Sequence, residues 1–255
     1  MGAQPTLDPL QDRGTILTTR EGIELIGLPG GSFWMGSDTD EWGRDLDEGP
    51  QHEVSVGEFL LGRYAVSNAE YERFLAAHAD ARRPATLDDP RFNAPRQPVI
   101  CVNWNEAQRF AAWIGGRLPT EAEWEYACRA GTSTSTYAGD LVDAANSQLD
   151  AIAWHRGNSE GKPHPGGEKL PNSWGLYDML GNVWEWCSDL YEPYPSFPRK
   201  GWGCEQVVRG GSWINRAKYA RAARRDEAPA SFEDERVGFR VAMDVAAWRE
   251  RLICG

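Results

Sequence analysis

The sequence predicts an α+β domain with short strands, few helices and a high content of ordered loop. Capped amphipathic patterns occur at three places, strand-like alternation occurs near the N-terminus, and residues 132–211 are rich in Asn, Gly, Pro and Ser. The 255 residues include 12 Trp, 27 Gly and 16 Pro. Buried indoles that bond to carbonyls can hold loops in place, because loop backbone is not paired in ladders. No linker divides the chain, so we expect one domain.

The expected boundaries are a lead-in at residues 1–21, a single domain at 22–245 and a C-terminal tail at 246–255. The lead-in mixes Gln, Pro, Asp and Thr without periodicity, which is typical of an extended or disordered terminus. Apolar runs at 23–26 and 33–36 flank a Pro-Gly-Gly break and together predict a hairpin. Residues 52–56 alternate as a half-buried strand does.

Three helix starts carry their own capping signals. Residues 67–70 read Ser-x-x-Glu, a capping box, and Tyr71 and Phe74 then share an apolar face. Residues 103–106 repeat this design as Asn-x-x-Glu, and that helix is expected to end at the glycine pair 115–116. Residues 120–123 are Thr-x-x-Glu, and a stop is expected at Gly131. Each start satisfies amide groups that have no partner inside the helix.

Overall charge and cysteine usage narrow the range of partners and compartments. The formal net charge is −11 and the pI is about 4.9, so an acidic surface disfavours nucleic-acid binding. No apolar run resembles a signal peptide or a membrane span, so we expect no membrane association. Five cysteines without a Cys-x-x-Cys pair indicate reduced thiols, mostly buried, in a cytoplasmic protein.

The charge is unevenly distributed along the chain. Residues 37–54 hold seven acidic side chains and one arginine, whereas residues 209–240 hold eight Arg or Lys and five acidic side chains. One interpretation is a solvated loop and an ordinary charged face. The other is that the C-terminal stretch forms a basic binding surface.

Six motifs, in the correct order, resemble those of the formylglycine-generating-enzyme-like domains, also called the sulfatase-modifying factor family. They are Pro-Gly-Gly-x-Phe-x-Met-Gly at 29–36, Asp-Glu-Gly-Pro-x-His at 47–52, Gly-Arg-Leu-Pro-Thr-Glu-Ala-Glu-Trp-Glu-Tyr-Ala at 116–127, Gly-Leu-Tyr-Asp-Met-Leu-Gly-Asn-Val-Trp-Glu-Trp at 175–186, Arg-Gly-Gly-Ser-Trp at 209–213 and Gly-Phe-Arg-Val-Ala at 238–242. The resemblance runs from about residue 22 to 243. It implies a compact variant of the C-type lectin fold.

The copper oxidases of this family hold their metal with two cysteines just after the Gly-Gly-Ser turn. Thiolates serve there because they are soft ligands that select Cu(I). Residues 212–221 of this chain contain no cysteine, and none lies between Cys204 and Cys254. We therefore expect neither copper binding nor formylglycine formation.

By resemblance, the chain has a structural calcium loop at residues 178–185. The implied ligands are the side chains of Asp178 and Glu185 and the carbonyls of Gly181 and Val183. Two carboxylates that bracket backbone carbonyls suit calcium, which prefers six to eight hard oxygen ligands. The alternative is that Glu185 pairs with a neighbouring arginine and Asp178 caps a turn.

Two weaker metal sites remain open from the sequence. The second calcium loop of the family falls near residues 145–157, where Asn146 and Asp150 are candidates. His155 and His164, with Glu160, could hold a mononuclear iron, although they lack the i,i+4 spacing of two ligands on one helix. The alternative is that both histidines stabilise loops or face solvent.

The resemblance places a catalytic or recognition cleft at residues 213–236. Arg, Tyr and Trp are enriched at binding hot spots, and arginine suits a carboxylate or phosphate. The predicted ligand-binding residues are Trp213, Asn215, Arg216, Lys218, Tyr219, Arg221, Arg224, Asp226 and Phe232. The alternative is a charged surface in which arginines pair with the acidic residues at 233–235.

The leading hypothesis is a non-catalytic module that binds a protein or a small anionic ligand through the cleft near residues 213–232. A second hypothesis is a metal-dependent oxidoreductase, related to the siderophore-maturing or sulfoxide-synthase members of the family. A third is a variable protein of a diversity-generating retroelement, which the several Glu and Ala residues in the cleft disfavour.

Overall fold

Ten short strands and five helices make up the computed structural model, which describes residues 15–143, 147–195 and 204–253. The strands are β1 (Ile16–Thr18), β2 (Glu24–Leu28), β3 (Gly31–Met35), β4 (His52–Val56), β5 (Phe59–Gly62), β6 (Trp184–Leu190), β7 (Glu205–Arg209), β8 (Arg225–Pro229), β9 (Val237–Gly238) and β10 (Ala242–Asp244). The helices are α1 (Asn68–Ala77), α2 (Trp104–Trp113), α3 (Glu121–Arg129), α4 (Ser147–Ile152) and α5 (Val245–Ile253).

The strands form three small sheets, which confirms the α+β class. One sheet has the order β1-β2-β5-β10, another is the pair β3-β4, and the third has the order β8-β7-β6-β9. All pairings between these strands are antiparallel except β6 with β9, where Trp184 lies opposite Val237 in a parallel register. Each four-stranded sheet therefore contains strands that are far apart in the sequence.

The hairpin predicted between residues 23–26 and 33–36 is wrong. β2 pairs with β1 on one edge and with β5 on the other, so neither edge is free for β3. β3 instead pairs with β4, the strand that the alternation at 52–56 predicts. The Pro-Gly-Gly segment therefore connects β2 in one sheet to β3 in another.

The three helix starts are confirmed, with differences in detail. Ser67 and Thr120 form reciprocal capping boxes at α1 and α3. Asn103 caps α2, but the Glu106 carboxylate does not return to the cap and instead binds Arg109 and the Arg82 amide. α3 ends at Arg129. The residue that caps it, Ala130, takes the left-handed conformation one residue before the glycine at which the stop was expected.

The tryptophans support the core largely as predicted. The indole N–H groups of Trp104, Trp186 and Trp213 donate to backbone carbonyls at 2.8–3.0 Å. Those of Trp124 and Trp184 donate to side-chain oxygens instead. These bonds tie the irregular part of the chain to the helices and sheets.

Two expectations about irregular segments need revision. Residues 132–211 include α4, β6 and β7, so the stretch is less irregular than its composition indicates. At the C-terminus, residues 246–253 of the expected tail belong to α5, whose Trp248 packs into an apolar cluster of the core, and residues 254–255 lie outside the described residues. Within the expected lead-in, Ile16–Thr18 pair with β2, while residues 1–14 lie outside the described residues.

Candidate functional site

The segment that follows the Gly-Gly-Ser turn is where the resemblance puts a copper-binding cysteine pair. Gly210 and Gly211 have φ values of 97° and 77°, a left-handed conformation that favours glycine. Trp213 then enters a small apolar cluster, with its ring centroid 6.4 Å from that of Phe92. Its indole donates to the Glu235 carbonyl at 3.0 Å. The first large side chain after the turn is thus buried and fixed.

Asn215 is fixed in the same way. Its side-chain oxygen accepts from the Trp184 indole at 2.8 Å and from the Ser212 hydroxyl at 2.6 Å. Residues Ala217–Tyr219 then form a single 3₁₀ turn that leads to Arg221. The side chains at this place take part in packing and hydrogen bonds, and none of them is a soft metal ligand.

Arg221 is fully buried and binds the acidic loop, residues 37–54. Its Nη atoms donate to the two carboxylate oxygens of Glu48 at 2.5 and 2.7 Å and to Glu41 at 2.5 Å. Its other N–H groups donate to the carbonyls of Lys218 and Gly43 at 2.8 and 2.7 Å. Burial raises the pKa of Glu41, and the nearby Arg221 charge only partly offsets this effect. The guanidinium therefore joins two segments that are far apart in sequence.

The next two arginines extend this contact. Arg224 pairs with Asp45, also in the acidic loop. Arg225 donates to Glu121 at the start of α3 at 2.8 Å, and its guanidinium lies 4.4 Å from the centre of the Tyr191 ring. Both arginines are buried. Arg221 and Arg224 thus tie the basic stretch to the acidic loop, and Arg225 ties it to α3.

A further pair of buried arginines surrounds Glu125 of α3. Arg129 donates to Glu125 Oε1 at 2.9 and 2.7 Å, the Gly36 amide donates to the same oxygen at 2.9 Å, and Arg209 pairs with Oε2. Burial alone raises the pKa of Glu125, but the two guanidinium groups and the amide outweigh it, and the pKa lies below its ordinary value. This carboxylate is therefore charged and paired.

The structure separates the nine predicted ligand-binding residues. Trp213, Arg221 and Arg224 are buried, at 4%, 0% and 9% exposure. Arg216 is exposed, and the other five are half-buried: Asn215, Lys218, Tyr219, Asp226 and Phe232.

The expectation of a free basic surface at 213–232 is thereby corrected. Its central arginines, Arg221 and Arg224, bond to the acidic loop, since burial of a charge requires a partner. The alternative of ion pairing with residues 233–235 is confirmed for Arg236, which pairs with Asp234, whereas Glu233 pairs with Arg82 outside this stretch. Ligand binding by the half-buried residues remains a prediction.

The predicted calcium loop contains one carboxylate oxygen that fits a cation. Asp178 has φ 53°, and its Oδ2 accepts from the Gly167 amide at 2.8 Å. Its Oδ1 is buried without a hydrogen-bond partner among the described residues. Burial raises the pKa of Asp178 to about 6. A buried oxygen of this kind is costly unless a donor or a hard cation meets it.

Glu185, the other implied carboxylate, is already paired. Its Oε2 accepts from the Trp124 indole at 2.7 Å and from Arg240 Nε at 2.6 Å, and its Oε1 accepts from Arg240 Nη2 at 2.7 Å. A carboxylate has about four lone-pair sites, so Glu185 keeps capacity for a further ligand. The arginine pairing that we considered as an alternative is present, and calcium binding remains a prediction that Asp178 supports.

The two histidines of the possible iron site have other partners. The Gly157 amide donates to His155 Nδ1 at 3.1 Å, so Nε2 carries the proton that bonds to Asp150 at 2.8 Å. His164 Nε2 donates to the Ser159 carbonyl at 2.8 Å. The rings therefore serve the loop around them and do not assemble the iron site considered from the sequence.

The second calcium loop gains no support from the side chains. Asn146 lies outside the described residues, and the Asp150 carboxylate accepts from His155 and Asn158. Within residues 15–143, 147–195 and 204–253, no group of three His, Cys, Asp or Glu side chains could hold a metal ion.

The described cysteines are free thiols. Cys128 and Cys187 are buried, as expected of small core residues, whereas Cys101 is half-buried and Cys204 is exposed, so half of the four described cysteines are buried and not most of them. Burial raises the pKa of Cys128 to about 12 and that of Cys101 to about 11. Such thiols stay protonated at neutral pH and are poor nucleophiles and metal ligands.

Sequence reasoning missed a surface groove near the acidic loop. One cavity, of about 340 Å³, is lined by Phe33, Trp34, Tyr126 and Trp174, and an adjoining cavity, of about 540 Å³, is lined by acidic residues. Ser133 lines both cavities, and we call the whole the aromatic–acidic groove. The only sequence signal was the tryptophan count, which does not distinguish Trp34 from the buried indoles.

Comparisons with known proteins place these features in a family. A model of the sulfatase-modifying factor enzyme 1-like domain matches residues 16–245. The formylglycine-generating enzyme of Streptomyces coelicolor is 32% identical over 308 residues, which cover 95% of this chain and 96% of that protein. The inactive C-alpha-formylglycine-generating enzyme 2 of Mus musculus is 30% identical, with coverage of 89% and 88%.

One solved structure has a sequence identity to this chain close to that of these two relatives. PvdO from Pseudomonas aeruginosa aligns with a TM-score of 0.79 at 31% identity, covering 92% of this chain and 99% of that chain. The part of this chain that the structure describes contains no helix long and apolar enough to cross a membrane.

Proposed function

This chain belongs to the family of sulfatase-modifying factor enzyme 1-like domains. Within this family, we propose that it is a non-catalytic binding module and not a cysteine oxidase. Relatives of similar identity carry the names of an active and of an inactive formylglycine-generating enzyme. Family membership alone therefore does not decide the activity. The residues of the site carry the proposal.

The observation that carries it is the content of the segment after Ser212. That segment offers a buried indole, an amide and guanidinium groups, and two of its buried side chains have structural partners: Trp213 bonds to Glu235, and Arg221 bonds to Glu48. A Cu(I) centre needs soft thiolate ligands, and the nearest cysteines in sequence, Cys204 and Cys254, lie outside this segment.

We propose that the scaffold is stabilised by one structural calcium ion. The Asp178 side chain would supply a hard oxygen, and Glu185 with the carbonyls of Gly181 and Val183 would complete the protein ligands. The unpartnered Asp178 Oδ1 supports this assignment. The ion would contribute fold stability and no redox chemistry. Free thiols suit a reducing compartment, so the proposal includes a cytoplasmic location.

The oxidoreductase alternative receives less support because the ring nitrogens of His155 and His164 are engaged within their own loop. Metal analysis of purified protein, combined with measurement of oxygen consumption, separates the two classes. The binding module predicts calcium without stoichiometric iron or copper, and no oxygen uptake with thiol or phenol substrates. Stoichiometric iron or copper with oxygen uptake would refute the proposal. A reverse transcriptase gene beside this one would favour the retroelement hypothesis.

A further inference from the structure

The two halves of the aromatic–acidic groove differ in chemistry. In the aromatic half, the Trp34 side chain of β3 is 59% exposed, whereas six of the other ten tryptophans that the structure describes are buried. The Phe33 and Tyr126 ring centroids lie 5.5 Å apart, and those of Tyr126 and Trp174 lie 4.9 Å apart. The Tyr126 hydroxyl donates to the Pro29 carbonyl at 3.0 Å, which fixes the Tyr126 ring in the aromatic half.

The acidic half has a strongly negative lining. The carboxylates that line it are Asp38, Asp40, Glu41 and Asp140. None of its eight described lining residues is a Lys or Arg. Arg221 compensates Glu41 from within the protein, but the other three carboxylate residues are exposed at the cavity. The cavity therefore favours a positively charged ligand, and the net charge of −11 attracts such a ligand at long range.

The arrangement of the halves selects an extended ligand over a single ion. Each cavity falls within the range of about 300–1,000 Å³ that is typical of ligand pockets, so a ligand that uses both must span Ser133. Among the described residues, β3 pairs only with β4, so it is an edge strand, and its residues 32–34 line the aromatic half. An extended peptide can run beside an edge strand and place alternate side chains in pockets.

We infer that the aromatic–acidic groove binds an extended peptide segment that carries an arginine or lysine two residues from an apolar side chain. The basic side chain enters the acidic half, and the apolar side chain lies on Trp34 and Phe33. Tryptophan supplies apolar contact area for that side chain, and the carboxylates supply specificity for positive charge. This inference rests on the proposed function and names its ligand class and its surface.

The test uses labelled, end-capped octapeptides with an arginine two residues from a phenylalanine, measured by fluorescence anisotropy with the full chain. Three matched peptides replace arginine by citrulline, arginine by glutamate, or phenylalanine by alanine. Spermidine, as competitor, tests whether a small cation alone occupies the groove. We expect the parent peptide to bind at least about tenfold tighter than each matched peptide, with an affinity that falls as salt rises.

Two groove variants and two controls complete the test. Trp34→Ala and the double change Asp38→Asn with Asp40→Asn alter exposed side chains, so the fold is retained, and each should weaken binding by about tenfold or more. Leu170→Ala and Glu58→Gln change an exposed apolar and an exposed acidic side chain away from the groove and should leave binding unchanged.

Three outcomes would overturn the inference. They are equal binding of the glutamate peptide, no effect of Trp34→Ala, or spermidine binding as tightly as the parent peptide, since a small cation alone would then account for the groove. Oxygen consumption in the same samples keeps the two proposals apart. Absent peptide binding without oxygen uptake removes the groove assignment alone, whereas oxidation of the peptide removes the proposed non-catalytic function.

Discussion

Glu48→Gln is the change that most directly probes the contact between the acidic loop and the buried arginines. Glu48 is fully buried and accepts two hydrogen bonds from Arg221. Glutamine keeps the shape and a capping acceptor for the Asp45 amide, but removes the charge. Arg221 would then be buried with only Glu41 and two carbonyls as partners.

The size of the effect follows from the burial of the pair. Removing one partner of a buried ion pair costs roughly 3–5 kcal/mol of folding stability. Because Arg221 keeps its contact with Glu41, we expect a loss at the lower end, about 3 kcal/mol. For a domain of this size each kcal/mol lowers Tm by about 2–4 °C, so we expect a fall of about 6–12 °C in calorimetry. Hydrogen exchange should rise in the acidic loop, since its anchor is weakened.

The matched control is Glu72→Gln, which breaks the exposed pair with Arg83. Exposed pairs contribute about 0–1 kcal/mol, so its Tm should change little. The double variant Glu48→Gln with Arg221→Met should lose less than the sum of the two single changes, because the buried Arg221 charge is removed together with its main partner and only Glu41 loses its pairing. Equal, small Tm changes for Glu48→Gln and Glu72→Gln would refute the account of a buried, structural network.

Two other predictions concern carboxylates of the interior. Calcium should raise Tm relative to the protein in EDTA, and Asp178→Asn should abolish that rise, because its unpartnered oxygen is a proposed ligand; a rise of the same size in the variant would contradict the assignment. Glu125→Gln should lower Tm at pH 7. Because the folded pKa of Glu125 lies below its ordinary value, its stabilisation is complete above about pH 4.5 and is lost as the pH falls through the folded pKa. The Tm values of variant and parent should therefore converge in acid, and a constant difference down to the lowest pH would contradict this explanation.

The helix starts could be predicted because their signals are local. Ser67 and Thr120 act on amides within three residues, so no distant contact is needed to identify the caps. Strand pairing is different, because β2 and β3 are adjacent in sequence and yet belong to separate sheets. The pairing depends on which distant strands occupy each edge, and sequence spacing alone does not encode that.

The site was predicted less well than the fold for a related reason. The acidic and basic stretches were both visible in the sequence, but their pairing joins residues about 180 positions apart, as between Glu41 and Arg221. Arginine-rich composition therefore indicated a binding surface where the protein has buried ion pairs. The groove was missed because exposure of Trp34 depends on packing, and its neighbours in sequence do not differ from those of a buried tryptophan.

The central claim is that this scaffold does not oxidise cysteine. The most direct measurement incubates the purified chain with Cu(I), oxygen, a thiol reductant and a cysteine peptide of the sulfatase type, and follows the peptide by mass spectrometry. The formylglycine-generating enzyme of Streptomyces coelicolor serves as the positive control. The account predicts that the cysteine peptide remains unchanged, because residues 205–253 offer no thiolate. Conversion of the cysteine to an aldehyde would contradict it.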